Sequence, residues 1–280
     1  MGYSIFDETM VDMTWPEVEK AAEEGAIVLL PTGVIEEHGP HMGLGVDAYI
    51  SYLVCRLIRR ELEATGIKTL IAPPYYWGIN QCTGAFPGSF TVRKETIKAV
   101  LHDILASLKR WGFTYVFNIN WHGDQEHNLA ILEAINEAGI DTGIRAYCIL
   151  EDSLVTRLGL TGKEDYVIIQ KSPFPPEPPP KYLQIHAEST ETSIMLHYFP
   201  DQVDAELART LKSTDLTFDD LMVWRQGWSD ARKVTPLGYF GDPASFDLQA
   251  GKRLIEGYVQ NVASLIESFI RGNYQPPEIK

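Results

Sequence analysis

Glu36, Glu37, His38, His41 and Asp47 fall within a dozen residues of one another, in the stretch IVLLPTGVIEEHGPHMGLGVD at 27–47. Glu36 and His38 stand two apart, so in extended backbone both side chains project to the same face. Carboxylate oxygen with imidazole nitrogen, and a further carboxylate at Asp47, is a donor set that suits zinc or manganese. The competing reading of Glu-Glu-His alone is a solvated acidic loop. Gly39, Pro40, Gly43 and Gly45 weigh against it, because they fix the backbone tightly and a solvated loop has no need of that. Two further centres carry the same residue types. One is Trp121-His122-Gly123-Asp124-Gln125-Glu126-His127-Asn128, and the other is His186-Ala187-Glu188-Ser189-Thr190-Glu191-Thr192-Ser193.

Each centre must be held by regular elements. Residues 14–25 read as a helix, with Thr14 as cap, Pro16 in the first turn, Glu17 three after the cap and Gly25 at the end. The apolar run at 27–31 is a short buried strand that Pro31 and Gly33 break into the loop bearing the first centre. Asp47 opens a helix to about residue 64, with Ile50, Leu53, Val54, Leu57, Ile58 and Leu62 at helical spacing. A second strand is expected at 68–73, an amphipathic helix at 93–110 and a third strand at 115–120, which runs directly into the second centre. A helix over 128–138, closed by Gly139, and a fourth strand over 143–150 follow. This alternation predicts an α/β fold: a three-layer α/β/α sandwich around a mostly parallel sheet. Loops at the strand ends of such folds carry the chemistry. A final helix is expected over 245–270. The whole chain, 1–280, reads as a single domain with a proline-rich insert around 172–181, either a linker or an arm that packs on a neighbour.

The formal net charge is −14, which repels phosphate backbones and argues against nucleic acid as a partner. No apolar run approaches the roughly 18 residues that span a bilayer, so no membrane partner is expected. The N-terminus lacks a basic region followed by an apolar core, so no signal peptide is read there. Cys55, Cys82 and Cys148 are few and scattered, which speaks against a disulfide framework or a cysteine zinc site and for a cytoplasmic protein with reduced thiols. The loop at 73–92, rich in aromatic residues, Gly and Pro, reads as a wall of a substrate pocket or as a surface loop.

Glu36-Glu37-His38-Gly39-Pro40-His41, then Leu44-Gly45-Val46-Asp47, resembles the signature of the creatininase family of metal-dependent amidohydrolases. Asn120-Trp121-His122 resembles that family's Asn-x-His segment, and Glu191-Thr192-Ser193 the end of its His-Ala-Gly-x-x-Glu-Thr-Ser segment. Here Glu188 replaces the usual glycine, and Thr83 stands where the family often has histidine. The resemblance implies one metal held by Glu36, Asp47 and His122, and another by His38, Asp47 and Asp124, with Asp47 bridging. Glu126 and His127 are the alternatives to Asp124. Such a shell of oxygen and nitrogen without thiolate fits two divalent ions per chain, Zn or Mn with Fe as a third choice. The resemblance implies hydrolysis of a non-peptide C–N bond in a cyclic amide, lactam or formamide, with His186 as general acid or base and Glu191 orienting a ligand or that histidine. His41 is read as supporting the loop. Asn80, Trp121 and Glu188 are candidate contacts for a small-molecule amide substrate, and the family implies a homo-oligomer, often a hexamer. The other readings are a peptidase-like maturation enzyme of the same family and an inactive scaffold on the same fold.

Overall fold

Successive residues of strand β1, Ile27–Thr32, point to opposite sides of a sheet, and both sides are apolar. Val28 and Leu30 enter one core, Ile27 and Leu29 the other. The computed structural model of the chain describes residues 3–171 and 182–277. In it β1 is joined by β2 (Thr69–Ile71), β3 (Tyr115–Asn120), β4 (Arg145–Glu151) and β5 (Val167–Gln170). The order is β2-β1-β3-β4-β5 and every pairing is parallel. The expectation of a parallel sheet covered on both faces therefore holds.

The helices are α1 (Trp15–Glu23), α2 (Val46–Ala64), α3 (Lys94–Arg110), α4 (Gln125–Thr142) and α5 (Asp152–Arg157), followed by α6 (Ser189–Tyr198), α7 (Ala205–Thr210), α8 (Phe218–Trp224), α9 (Trp228–Val234) and α10 (Leu248–Ile270). Ala22 of α1, Ile97 and Leu101 of α3 and Ile131 of α4 pack on the Val28 face. Ile50 of α2, Ile194 of α6 and Ile255 of α10 pack on the Ile27 face. These are the outer layers of the α/β/α sandwich.

Thr14 and Glu17 form the expected capping box, with the Thr14 N–H donating to Glu17 Oε2 at 2.7 Å. The fourth helix departs from expectation at both ends. Asp124 Oδ1 accepts from the His127 N–H at 3.1 Å, so α4 begins at Gln125. It runs through Gly139 and stops at Gly143, whose φ of 72° only glycine adopts readily. The edge strand β5 was not anticipated, nor were α5 and α7–α9. A four-residue strand ending in Gln170 and helices of six or seven residues show too little periodicity to be read. The proline-rich segment at 172–181 lies outside the described residues.

The chain leaves β1 and β3 at their C-terminal ends side by side, Thr32 opposite Asn120. β2 flanks β1 on the far side and β4 follows β3. The connections diverge between β1 and β3, and this switch point opens a crevice in sheets of this order.

Candidate metal centre

Glu36, His38, Asp47, His122, His186 and Glu191 converge at that crevice. The first two lie in the loop after β1, and Asp47 sits in the first turn of α2. Gly33 lets the loop lie against the start of α2, since a Cβ there would stand 2.9 Å from the Asp47 backbone. His122 follows β3. Glu191 sits in the first turn of α6. Five of the six are buried, and the Glu191 side chain is 16% exposed.

Two sets of donors form around Asp47. His122 Nδ1 lies 3.1 Å from Glu36 Oε1 and 3.4 Å from Asp47 Oδ2. His38 Nε2 lies 3.8 Å from Asp47 Oδ1 and 3.9 Å from Glu191 Oε2. The groups Glu36/Asp47/His122 and His38/Asp47/Glu191 each bring one ligand atom per residue to within 4.8 Å of the others, as does Glu36/His38/His186.

The outer nitrogens of these histidines are accounted for. His122 Nε2 lies 2.9 Å from the Ile79 carbonyl, which accepts its N–H and leaves Nδ1 facing the carboxylates. His186 Nε2 donates likewise to the Glu37 carbonyl at 2.8 Å, and the Glu37 carboxylate stands 3.5 Å from the same nitrogen. His38 Nδ1 lies 3.2 Å from the Glu36 carbonyl. Glu36 Oε2 accepts from the Thr83 hydroxyl, Glu191 Oε2 from the Ala187 N–H at 2.6 Å.

Two inward atoms remain: His38 Nε2 and Asp47 Oδ2 are buried without a hydrogen-bond partner. Buried polar atoms are rarely left so. A nitrogen lone pair and a carboxylate oxygen both lack partners, and both belong to donor sets of the right chemistry. The residues present therefore fit divalent cations.

Without an ion, the packed charges disturb one another. Burial raises the Asp47 carboxyl to about 6, with Glu36 adding to the effect, and raises Glu191 to about 8 against the pull of His186. Burial works against His186 as a cation, yet Glu36 and Glu37 beside it push the ring to about 10. It also works against charged His122, but the Glu36 and Asp47 carboxylates hold that ring well above its ordinary value. Burial would lift the Glu36 carboxyl, and the charges of His122 and His186 hold it below the usual range. His38, desolvated beside His186, falls to about 3 and stays neutral.

Glu36, Asp47, His122, His186 and Glu191 floor a cavity of about 440 Å³, walled by Trp121 and Trp224 and edged by Gln81, Cys82, Asp124, Arg157, Gln184 and Arg225.

A profile of the family described as creatinine amidohydrolase matches residues 11–266. The chain belongs to the creatininase family. Creatinine amidohydrolase of Pseudomonas putida is 28% identical over 273 residues, covering 95% of this chain and 97% of that protein. A mycofactocin precursor peptide peptidase of Mycolicibacterium smegmatis is 26% identical, covering 86% of this chain and 84% of the relative. Among solved structures, a manganese creatininase superposes with a TM-score of 0.71 at 22% identity, over 94% of this chain and 98% of that one, a likeness of fold. The chain is a creatininase-family hydrolase with side chains clustered to bind metal.

This creatininase-family chain distributes its predicted site residues unevenly. Glu36, His38, Asp47, His122 and His186 come together, and Trp121 walls the cavity. Asp124 is in none of the three donor groups. Its oxygens cap α4 at the His127 N–H and accept from the Gln81 N–H at 3.0 Å, so Glu191 supplies the carboxylate beside His38 and Asp47. Glu126 lies at the cavity rim within 3.9 Å of Lys94, and His127 is buried against the His122 ring. Asn80 is buried, donating to the Ile35 and Phe90 carbonyls, and does not line the cavity. Nor does Glu188, which caps α6 by accepting from the Thr190 N–H at 2.7 Å. Its φ of −101° is ordinary, so the loss of glycine there costs no strain. The left-handed residue is its neighbour Ala187, at φ 50°. His41 Nε2 lies 2.9 Å from the Thr192 hydroxyl and ties the first centre to α6. Sequence reasoning gave Glu37 no role of its own, and Gln81, Arg157 and Arg225 none at all. Of these Glu37 stood inside a motif and Gln81 in the 73–92 loop.

Proposed function

We propose that this chain hydrolyses the C–N bond of a small amide outside a peptide chain, using two divalent ions, zinc or manganese. Glu36, Asp47 and His122 would hold one ion, and His38, Asp47 and Glu191 the other. Asp47, with one oxygen toward each histidine, is the observation that carries the reading. Bound there, such ions supply Lewis acidity, which polarises a carbonyl and lowers the pKa of water toward neutrality.

The chain's own groups do the rest. In amide hydrolysis the water oxygen ends on the acyl carbon, the C–N bond breaks, and the departing nitrogen needs a proton because an amide anion is a poor leaving group. His186 is suited to hold that proton. Its Nε2–H is committed to the Glu37 carbonyl, and Nδ1 faces Glu36 at 3.9 Å. Glu36 and then Glu37 favour the charged ring, and the Glu37 carboxylate, itself accepting from the Gly39 N–H at 3.0 Å, orients it. Trp121 and Trp224 offer flat apolar walls, and the volume of about 440 Å³ suits a small molecule.

A peptide substrate is the second reading, supported by the peptidase named among the relatives. Incubating the metal-loaded protein with lactams, formamides, ureas and short peptides decides between them. Turnover of a lactam or formamide is expected. Turnover confined to peptides would replace the first reading with the second.

A further inference from the structure

The acidic floor of the cavity is answered at its rim by two guanidinium groups. Arg157 ends α5 and Arg225 follows α8, and both line the cavity that holds Glu36, His122 and Trp224. Arg157 Nη2 donates to the Gly123 carbonyl at 2.8 Å, one residue beyond His122. That bond fixes the guanidinium relative to the metal centre. Partial burial, and then the like charge of Arg225 beside it, hold Arg157 below its ordinary range. The two cations therefore occupy one neighbourhood.

Among the described residues neither side chain is held in an ion pair: that of Arg157 donates only to that carbonyl, and that of Arg225 makes no hydrogen bond. Asp124 opposes the shift of Arg157, and its two oxygens already accept from the Gln81 and His127 N–H groups. In a chain of net charge −14, two unpaired arginines share the rim of its acidic cavity. Both guanidinium groups line the cavity with N–H donors free for an incoming anion. Planar guanidinium forks match the oxygens of a carboxylate or phosphate bidentately.

We propose that Arg157 and Arg225 form a subsite for a carboxylate or phosphate group that the substrate carries away from its scissile amide. This deepens the hydrolase reading and rests on it for the word substrate. The metal floor would take the reacting carbonyl, the tryptophans the middle of the molecule, and the arginines its charged end.

Titration calorimetry of the metal-loaded protein with inorganic phosphate and with acetate tests the subsite directly. R225Q and the double variant R157Q/R225Q are compared with the parent, with ion content measured in each. R225Q removes no described hydrogen bond, so it tests the subsite without disturbing the fold. Saturable anion binding is expected in the parent, several-fold weaker in R225Q and at least tenfold weaker in the double variant at equal ion content. A phosphate preference above tenfold names a phosphorylated substrate, and acetate binding as tight as phosphate names a carboxylate. Equal affinity in all three proteins, or no saturable binding in the parent, overturns the subsite. Turnover of N-formylglycine, N-formylaminoethyl phosphate and N-formylethanolamine separates the two readings. Arginine-dependent anion binding without cleavage of any amide leaves the subsite standing and removes the hydrolase. Cleavage indifferent to charge, with anion binding indifferent to the arginines, does the reverse.

Discussion

Asp47 Oδ2 stands 3.4 Å from His122 Nδ1 while its other oxygen stands 3.8 Å from His38 Nε2, so one buried carboxylate belongs to both donor sets. Replacing Asp47 with Ala should therefore remove both ions rather than one. Metal analysis of the purified variant checks this. Two ions per chain in D47A would contradict the shared role.

Glu191 and Asp124 separate cleanly. E191Q should lose about one ion per chain, because its carboxylate stands 3.9 Å from His38 Nε2. D124A should keep its ions and instead lose the cap of α4, worth about 1 kcal/mol. That is a fall of about 2–4 °C in Tm for a domain of this size. The opposite pattern would return Asp124 to the ligand shell.

His186→Ala should retain metal and lose about 10²–10⁴ in kcat, the usual contribution of a positioned acid or base. Unchanged kcat at equal metal content would take the ring out of the reaction.

Gly238 has φ 79°, and a Cβ there would lie 1.9 Å from Glu37 Oε2. G238A should displace the Glu37 carboxylate and lower the pKa of His186 from its raised value. Metal content should stay while the pH profile of turnover shifts, because Glu37 touches His186 and is in none of the donor groups. An unmoved profile in a folded, metal-loaded variant would mean that Glu37 does not set the charge of that ring.

Metal loading should release protons. Glu191, raised to about 8, holds a proton at pH 7 in the ion-free protein. A ligand must shed its proton, so about one proton per chain should leave on loading at pH 7. Apparent affinity should weaken as pH falls below about 8. Calorimetry in buffers of different ionisation enthalpy measures this, and a buffer-independent heat would refute it.

Much of this was legible in the residues. Glu36, His38 and Asp47 lie close together in one glycine-fixed loop, so local spacing reports their common site. His122 was legible because it follows a clear apolar strand. Glu191 stands beside His38 and Asp47 where Asp124 was expected, for a reason that spacing cannot show. Two residues past His122 the chain is already starting a helix, and Asp124 turns its oxygens to that helix's free N–H groups. Glu188 shows the same competition at α6. Arg157 and Arg225 left no signal, since each ends a short helix with no periodicity and only folding brings them together.

The donors come from three separate reaches of the chain: the loop after β1 with the start of α2, the end of β3, and the start of α6. No partly folded intermediate lacking α6 would own a complete second grip, so ion capture there belongs to the closing stage of assembly. Contacts made so late slow escape from the native basin more than they hasten arrival. Chelation should then shorten the lifetime of the folded molecule while leaving its refolding rate nearly untouched.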